Sequence, residues 1–438
     1  MKHLLALTAF FCIGYSPVFA QESPTLLTLE EALGQTLKSN FDIQLAANDL
    51  KISEANVYRG NAGMLPNLAL VATTNDNFTN TTQTQSDGST RELDNSKNNS
   101  MNYGAALNWT LFDGFKMFAK YDELKQTQLQ SEKQLQIKIL EKVNEVYTVY
   151  YDLVQQQKLF TALDTAVVIS QQRLDIAENR YQIGKASKLE VLNAKVDLNT
   201  DITTLTKQKE YYYNAKVRLN RAISRDAFDL NFIVESNVGI NRDLQLVDLL
   251  LQLDAQNPDL QLAIINAAIA QLQYKQLRAD RYPSLQLNSG YTFSESESSL
   301  GFVSKSSGRG WNYGFSARLN LFDGQRQSQR EKIARFDIEN AQILVERQRQ
   351  FIETELMMAF QTYSTNLELV NLEGKNEEIA KQNLEITMDK FEIGTITTME
   401  FRTAQLNYVN AVVRNNNAQY QAKLSEVILK VLVGKLDI

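Results

Sequence analysis

The residue types that carry most protein chemistry are nearly absent from this 438-residue chain, which contains one histidine, His3, and one cysteine, Cys12. A thiol nucleophile, a disulfide, a zinc site with Cys and His ligands, or a triad built on histidine needs these side chains. Because both residues lie in the first dozen positions, the rest of the chain cannot build such a site. Catalysis by carboxylates, as in glycosidases, remains possible in principle. No carboxylate pair, Gly-rich phosphate loop or Asp-x-Asp cluster stands out, so the sequence predicts no metal, no cofactor and no enzymatic activity.

The first twenty residues have the pattern of a secretory signal peptide. A basic start at Lys2 precedes an apolar run over 4–13 that is too short to cross a bilayer as a helix. Val18-Phe19-Ala20 follows, with small residues at the spacing of a cleavage site, and we expect cleavage between Ala20 and Gln21. The pattern predicts an exported protein whose mature form lacks both histidine and cysteine.

Two glutamates, Glu190 and Glu400, remain as candidate functional carboxylates. Each closes a Ser/Thr-x-x-Glu motif, beginning at Ser187 and at Thr397, which is typical of the capping box at a helix N-terminus. The local pattern favours a capping role over a functional acidic ring, although one carboxylate can serve both. The glutamates must therefore be positioned by the starts of two helices.

A helix ends just before each of these motifs. Gly184 and Gly394 suit the left-handed position that follows a helix C-terminus, and Arg180 and Lys390 place positive charge on the last turn, where the helix dipole favours it. A helix end followed three residues later by a helix start makes a tight hairpin. The sequence thus predicts two helical hairpins with tips near residues 184 and 394.

The two hairpins belong to an internal duplication. Residues 102–114 recur at 312–324, an offset of 210 that also relates the two tips, whereas the segments around Pro66 and Pro283 are offset by 217. Each half reads as helix, proline, strand, loop, strand, Asp-Gly, long helix, glycine turn, long helix. The prediction divides the chain into a first repeat, 21–225, with strands at about 66–76 and 101–112, and a second repeat, 226–438, with strands at about 283–293 and 311–322.

The predicted strands alternate between an apolar face with aromatic residues and a small or polar face. Strands of about ten residues with this alternation fit a transmembrane barrel, with lipid outside and water inside. Two soluble hairpins with one buried face are the alternative. On the barrel interpretation the lipid-facing residues include Tyr103, Leu107, Trp109, Tyr313, Phe315 and Leu319, and the pore-lining residues include Asn108, Arg318 and Asn320. A bridge to a neighbouring subunit is the alternative for Arg318, and the pattern slightly favours the pore-lining role.

Four strands are too few to close a membrane barrel, since the smallest need about eight. Several copies must then share one barrel: a dimer would supply eight strands and a trimer twelve, and the strands alone do not decide between them. The polar segments 75–100 and 294–310 are expected to be solvated loops between the strands.

The helical segments are unusually long. Residues 115–183 contain neither proline nor glycine, and as one helix they would extend roughly 100 Å. Their apolar residues form a narrow stripe, which is typical of a coiled coil. Asp113 and Asp323 are expected to cap the starts of the long helices, and the tyrosines at 211–213 are expected to pack against other helices.

The order of these motifs resembles the TolC-type outer-membrane efflux proteins. The similarity rests on Leu-Phe-Asp-Gly after the second strand of each half, on Tyr-x-x-Gly-x-x-Ser-x-x-Glu at the first tip, on the opening 27–33, and on Leu65-Pro66 before the first strand. The resemblance implies a mainly helical fold with a small β part. Long hairpins would form an α-barrel tunnel through the periplasm, and a homotrimer would share a twelve-stranded β-barrel in the outer membrane of a Gram-negative bacterium.

The resemblance also implies partners and site residues. The tips would dock a periplasmic adaptor, which links the duct to an inner-membrane pump. The docking candidates are Arg180, Ile183, Gly184, Ser187, Lys390, Ile393, Gly394 and Thr397. Glu190 and Glu400 would lie near the periplasmic aperture, where family members often carry aspartates, and Thr403 stands where some members carry a further acidic residue.

We therefore expect an export duct without a catalytic step, embedded in outer-membrane lipid. A duct for type I protein secretion would have the same sequence features. An exported coiled-coil scaffold or tether is an alternative of another class, and a free-standing porin would have no use for duplicated tips. The net charge of −6 gives no general attraction to nucleic acid.

Overall fold

The computed structural model describes residues 24–298 and 303–435. The predicted signal peptide, with His3 and Cys12, lies outside these residues. Contacts divide the chain into two compact units. Of the described residues, unit 1 comprises 24–36, 146–239 and 372–420, and unit 2 comprises 37–145, 240–298, 303–371 and 421–435.

The described part of the chain is mainly helical, with four long strands and two short ones. In chain order the elements are β1 (Thr25–Leu27), α1 (Leu29–Ser39), α2 (Phe41–Asn56), β2 (Asn67–Thr84), β3 (Thr90–Asp113), α3 (Lys116–Gln182), α4 (Lys188–Ala222), β4 (Phe232–Val234), α5 (Leu246–Gln256), α6 (Pro258–Ala279), β5 (Ser284–Ser298), β6 (Lys305–Arg318), α7 (Arg326–Glu392) and α8 (Thr398–Leu432). Among the helices of the described residues, none is both long enough and apolar enough to cross a membrane.

Unit 2 contains an antiparallel sheet in the order β2-β3-β5-β6. The first hairpin is longer than the sequence predicts, because β2 and β3 continue through most of the segment 75–100 that was expected to be a loop. They meet in a short turn in which Gly88 has a φ of 84° and the Asp87 carboxylate accepts the Ser89 amide at 2.9 Å. The expectation of a long loop was wrong. The segment is polar on both faces and so shows no apolar alternation, but it is rich in threonine, which forms strands well.

The second hairpin departs from the prediction at both ends. β5 and β6 extend into the segment 294–310, so its expected loop is also shorter. β6 ends at Arg318, opposite Ser284, and Leu319 and Asn320 therefore follow the strand instead of belonging to it. The neighbouring position on β5 is Pro283, which has no amide hydrogen to continue the ladder.

The two strand-to-helix junctions repeat the same backbone. Asp113 accepts the Met117 amide at 3.0 Å, and Asp323 accepts the Gln327 amide at 2.9 Å, which confirms the predicted caps. Two consecutive residues with a left-handed backbone follow each aspartate. They are Gly114 and Phe115 in the first copy, and Gly324 and Gln325 in the second. This turn redirects the chain from the sheet into α3 or α7.

Beyond the sheet, a cluster of buried apolar residues from α5, α6, α7 and α8 forms a core of unit 2. Its members are Leu249, Leu253, Leu260, Ile352, Leu356, Tyr363, Leu429 and Val433. The buried positions on α7 are spaced by four and seven residues, as expected for one face of a helix that packs narrowly on its neighbours.

In unit 1 the short strands β1 and β4 pair in parallel and are tied to α3 by Tyr150. Its hydroxyl donates to the Leu27 carbonyl at 3.0 Å and accepts the Glu235 amide at 3.3 Å. Burial raises the pKa of Tyr150 to about 12. One buried side chain thus joins residues that are far apart in the sequence.

The tyrosines at 211–213 behave differently from one another. Tyr212 is buried and stacks on Phe160 with ring centroids 5.7 Å apart, as the packing prediction requires. Tyr211 and Tyr213 are exposed on the single chain, so their packing against other helices stays a prediction. Adjacent residues on a helix point in different directions, and one narrow stripe buries only one of the three.

Candidate functional site

The tips of both hairpins lie in unit 1, and the two long helices end there in the same way. Gly184 and Gly394 are left-handed, with φ of 76° and 81°. At the first tip the Gly184 amide donates to the Tyr181 carbonyl at 3.0 Å and the Lys185 amide donates to the Arg180 carbonyl at 2.8 Å. The second tip repeats this pair of bonds. Both are Schellman motifs, which satisfy the last carbonyls of the helix.

The helix starts differ between the tips, although both sequences contain a capping box. At the second tip the box is complete: Thr397 N–H donates to the Glu400 carboxylate at 2.7 Å, and Glu400 N–H donates to the Thr397 hydroxyl at 3.2 Å. At the first tip only one half forms, from Glu190 N–H to Ser187 Oγ at 3.3 Å. The Glu190 carboxylate is directed elsewhere.

That carboxylate connects the two hairpins. Glu190 Oε1 accepts a hydrogen bond from the Thr398 hydroxyl at 2.8 Å and lies 3.9 Å from Arg180 Nη1. The Arg180 guanidinium carbon lies 5.8 Å from the centroid of the Phe391 ring, within the range of a cation–π contact. Glu190 and Arg180, both predicted as site residues, are therefore brought together by the fold.

Each tip also presents apolar side chains to solvent. Ile183 is 66% exposed and Ile393 is 76% exposed. Leu189 and Met399, at equivalent positions of the two repeats, are each 66% exposed. Sequence reasoning missed Leu189 and Met399, although the offset of 210 marks them as a repeated apolar pair on the first turn of a helix. Four apolar residues thus accompany the backbone turns at the ends of the hairpins.

Further along the hairpins, a buried network of ion pairs joins α3, α4 and α8. Arg402 forms a two-pronged pair with Asp201, with Nη1–Oδ2 and Nη2–Oδ1 distances of 2.6 and 2.8 Å. Arg173, whose side chain is fully buried, pairs with Asp197. Gln405 donates to the Ser170 hydroxyl at 2.8 Å and to the Ala166 carbonyl at 2.9 Å. The sequence analysis did not find this network, because single charges on a long helix usually face water.

The sheet of unit 2 places the predicted barrel residues in cross-strand rows. Trp109 and Phe315 share a row with Leu287, and Leu107 and Tyr313 share a row with Ser289 on the same face. Tyr103 lies on this face as well and stacks on Phe293 with centroids 5.1 Å apart. The predicted pore-lining residues Asn108 and Arg318 lie on the opposite face. Assigning these faces to lipid and to water remains a prediction.

One family model accounts for most of the chain. The model described as "Outer membrane efflux protein" matches residues 32–225 and 249–435. The chain belongs to the outer membrane efflux protein family. The family resemblance predicted from the repeated motifs is thereby confirmed, and the family is one of outer-membrane channels rather than enzymes.

The relatives of this outer membrane efflux protein are distant in sequence and similar in fold. It is 20% identical over 273 residues to the outer membrane protein TolC of Escherichia coli K12, a match that covers 60% of this chain and 55% of TolC. The Campylobacter jejuni CmeC outer membrane channel superimposes with a TM-score of 0.77 at 19% identity, over 99% of this chain and 94% of CmeC. The outer membrane protein VceC of Vibrio cholerae gives 0.74 at 16% identity, over 93% of this chain and 96% of VceC.

The complete capping box predicts an acid-sensitive second tip in this efflux-family protein. The N–H and hydroxyl of Thr397 lower the pKa of Glu400. A carboxylate with a lowered pKa in the folded state stabilises the fold at neutral pH, and that contribution is lost as the pH falls through the lowered value. We expect amide hydrogen exchange at 397–401 to accelerate on acidification below about pH 4, beyond its intrinsic pH dependence.

Glu400→Gln is the matched control for this prediction, because it retains the shape of the side chain and removes its charge. The tip of this variant should exchange faster at neutral pH and should show no additional opening on acidification. An identical acid response in the variant and the parent would contradict the assignment to Glu400.

Proposed function

We propose that this protein is an outer-membrane duct that exports solutes delivered by an inner-membrane pump through a periplasmic adaptor. Three copies share one twelve-stranded barrel, and their long helices line a tunnel that extends into the periplasm. The duct itself performs no catalytic step. The opening of the tunnel follows from adaptor binding at the hairpin tips, and the pump supplies the energy.

The observation that carries this proposal is an open sheet with an exposed apolar face. β2 and β6 form the two edges of the four-stranded sheet. Leu70 is 89% exposed on one edge, and Tyr313 is 84% exposed on the other. Exposed strand edges and large apolar patches are both unfavourable for a soluble monomer. Pairing of β6 with β2 of the next copy removes the edges, and lipid around the closed barrel covers the apolar face.

The duplicated tips support the adaptor as the partner. At both tips one long helix ends in a Schellman motif and the next helix begins a few residues later. Each tip exposes an isoleucine together with an apolar residue on the first turn of the following helix. Three copies of two equivalent tips present six similar surfaces at one end of the duct. A ring of similar surfaces fits a ring of adaptor hairpins, whereas a tether needs no such repetition.

Single-cysteine crosslinking in intact cells tests the proposal. Cys12 lies in the predicted signal peptide, so a cysteine introduced into the mature chain is unique. Ile183→Cys and Ile393→Cys place a photo-crosslinker on exposed positions that make no capping bond, and Phe228→Cys, also exposed, is the control away from the tips. We expect both tip variants, and not the control, to capture a periplasmic adaptor.

Membrane retention is measured on the same cells. A barrel should stay in the membrane fraction after alkaline extraction, whereas a tether should be released. Capture of sister subunits alone from an assembly that is retained in the membrane would overturn the docking assignment. Release by alkali would overturn the barrel.

A further inference from the structure

A polar cavity of about 700 Å³ lies in unit 2 where the sheet meets the helices. Thr110 and Gln286 pair across β3 and β5 on the polar face of the sheet and line one side of it. Arg318 lies on the same face at the end of β6. The beginning of α7 lines the other side with Arg326 and Arg330. The cavity is far larger than one ordered water requires.

Three of the cations that line the cavity have no carboxylate partner. Within 24–298 and 303–435, Arg318, Arg326 and Arg330 form no ion pair. Arg326 donates through Nε to the backbone carbonyl of Asp323 at 3.0 Å, which leaves its Nη groups without a carboxylate. By contrast, Arg281, which also lines the cavity, is paired with Glu331. Several guanidinium groups around one polar space form a positively charged recess.

Three acidic residues in the cavity lining reduce its positive charge but do not cancel it, because five cations line the same space. Asp113 and Asp323 direct their carboxylates to the first amides of α3 and α7 as caps. Asp280 is paired with Lys116 at 2.9 Å. All three acids are engaged by other groups, so none of them is an ion-pair partner of Arg318, Arg326 or Arg330 within the chain.

The internal duplication supplies a comparison for this arrangement. The offset of 210 relates Arg326 to Lys116 and Arg330 to Lys120. In the first repeat both cations are neutralised: Lys116 pairs with Asp280, and Lys120 lies 2.7 Å from Glu123. In the second repeat, position 333, which corresponds to Glu123, is isoleucine. Charges that are balanced in one copy are therefore left unbalanced in the other, and they face one cavity.

We propose that this cavity is a binding site for anions that carry phosphate or carboxylate groups, held by Arg318, Arg326 and Arg330. The planar fork of arginine matches both groups and binds them through two parallel hydrogen bonds. The location of the site inside the duct rests on the proposed function, whereas binding itself does not. An anion held there would be a solute in passage through the duct.

The test uses the full-length protein purified in a neutral detergent and inorganic pyrophosphate as the probe, titrated by calorimetry at low salt. We expect Arg318→Gln and Arg330→Gln each to weaken binding about tenfold, as the loss of a charge-assisted bond of roughly 1.4 kcal/mol would do. Lys120→Gln removes the equivalent, paired charge of the first repeat outside the cavity lining, and should bind within about twofold of the parent.

Two results would overturn the proposal: absence of pyrophosphate binding, or equal binding by the parent and both arginine variants. Oligomeric state and membrane retention test the proposed duct and are measured independently of pyrophosphate binding. A failure of this site is therefore distinguishable from a failure of the proposed duct.

Discussion

Replacement of Arg402 by methionine is expected to lower the stability of unit 1 by about 3–5 kcal/mol, as the loss of one partner from a buried ion pair does. The Arg402 side chain is 11% exposed and that of Asp201 is 13% exposed. Methionine fills similar space without a charge, so the main effect is an aspartate left buried without its guanidinium. Among the residues that the structure describes, Asp201 would retain only the hydroxyl of Ser170 as a partner.

The same helix offers a matched control. Arg414 pairs with Glu373 at 3.0 Å, and its side chain is 53% exposed. An ion pair in contact with water contributes little, and Arg414→Met should change stability by less than about 1 kcal/mol. Both variants remove one arginine from α8, so the difference in their loss of stability measures the effect of burying the ion pair.

Hydrogen exchange of α4 and α8 measures the effect as a free energy of local opening. The double variant Arg402→Met with Asp201→Leu should recover part of the loss, because it removes the buried charge along with its partner. Equal exchange in the two single variants would contradict a structural role for the network.

The local motifs of the hairpins and junctions could be predicted because each depends only on residues close together in the sequence. Asp113 bonds an amide four residues away, and Gly184 closes a turn with carbonyls three to five residues back. Such short-range patterns depend little on the rest of the fold. Because of the internal duplication, each motif occurs twice in the chain. The family could therefore be identified from the motifs, although the sequence is only 20% identical to TolC and 19% identical to CmeC.

The buried network was not predictable because its partners meet only after folding. Arg402 and Asp201 are separated by 201 positions in the chain, and neither stands out among the charges of a long polar helix. The carboxylate of Glu190 shows the same limit. Its sequence motif is a capping box, yet in the fold it accepts a hydrogen bond from Thr398, 208 positions away. Local patterns predict the caps available to a residue, and tertiary contacts decide which are used.

The outer parts of β2 and β3 were predicted to be a loop because of their polar composition, yet they form regular strands. A strand with one apolar face reveals itself by alternation, but these segments are polar on both faces. Their pairing is visible only in the register, where Asn77 opposes Asn98 and Thr84 opposes Thr90. Backbone hydrogen bonds and threonine-rich rows stabilise such a hairpin without an apolar stripe.

Substitution of Gly114 by alanine is expected to damage the protein far more than the same change at Gly324. The two glycines are equivalent by the offset of 210 and have nearly the same backbone, with φ of 72° and 73°. A side chain in this left-handed region costs about 1–2 kcal/mol. Phe115 and Gln325, the next residue in each copy, already adopt it, so the turn itself tolerates a side chain.

The surroundings of the two glycines differ. A Cβ at Gly114 would lie 2.3 Å from the carbonyl oxygen of Ala279 and 2.8 Å from Cβ of Tyr282, both parts of the chain that cannot move aside independently. At Gly324 no atom lies within 4 Å. Overpacking adds about 1–3 kcal/mol, so Gly114→Ala should lose that much more stability than Gly324→Ala. Thermal unfolding of the two purified variants measures the difference. Equal losses would mean that the end of α6 yields at Ala279, and that the first junction is held by its Asp113 cap rather than by close contact with α6.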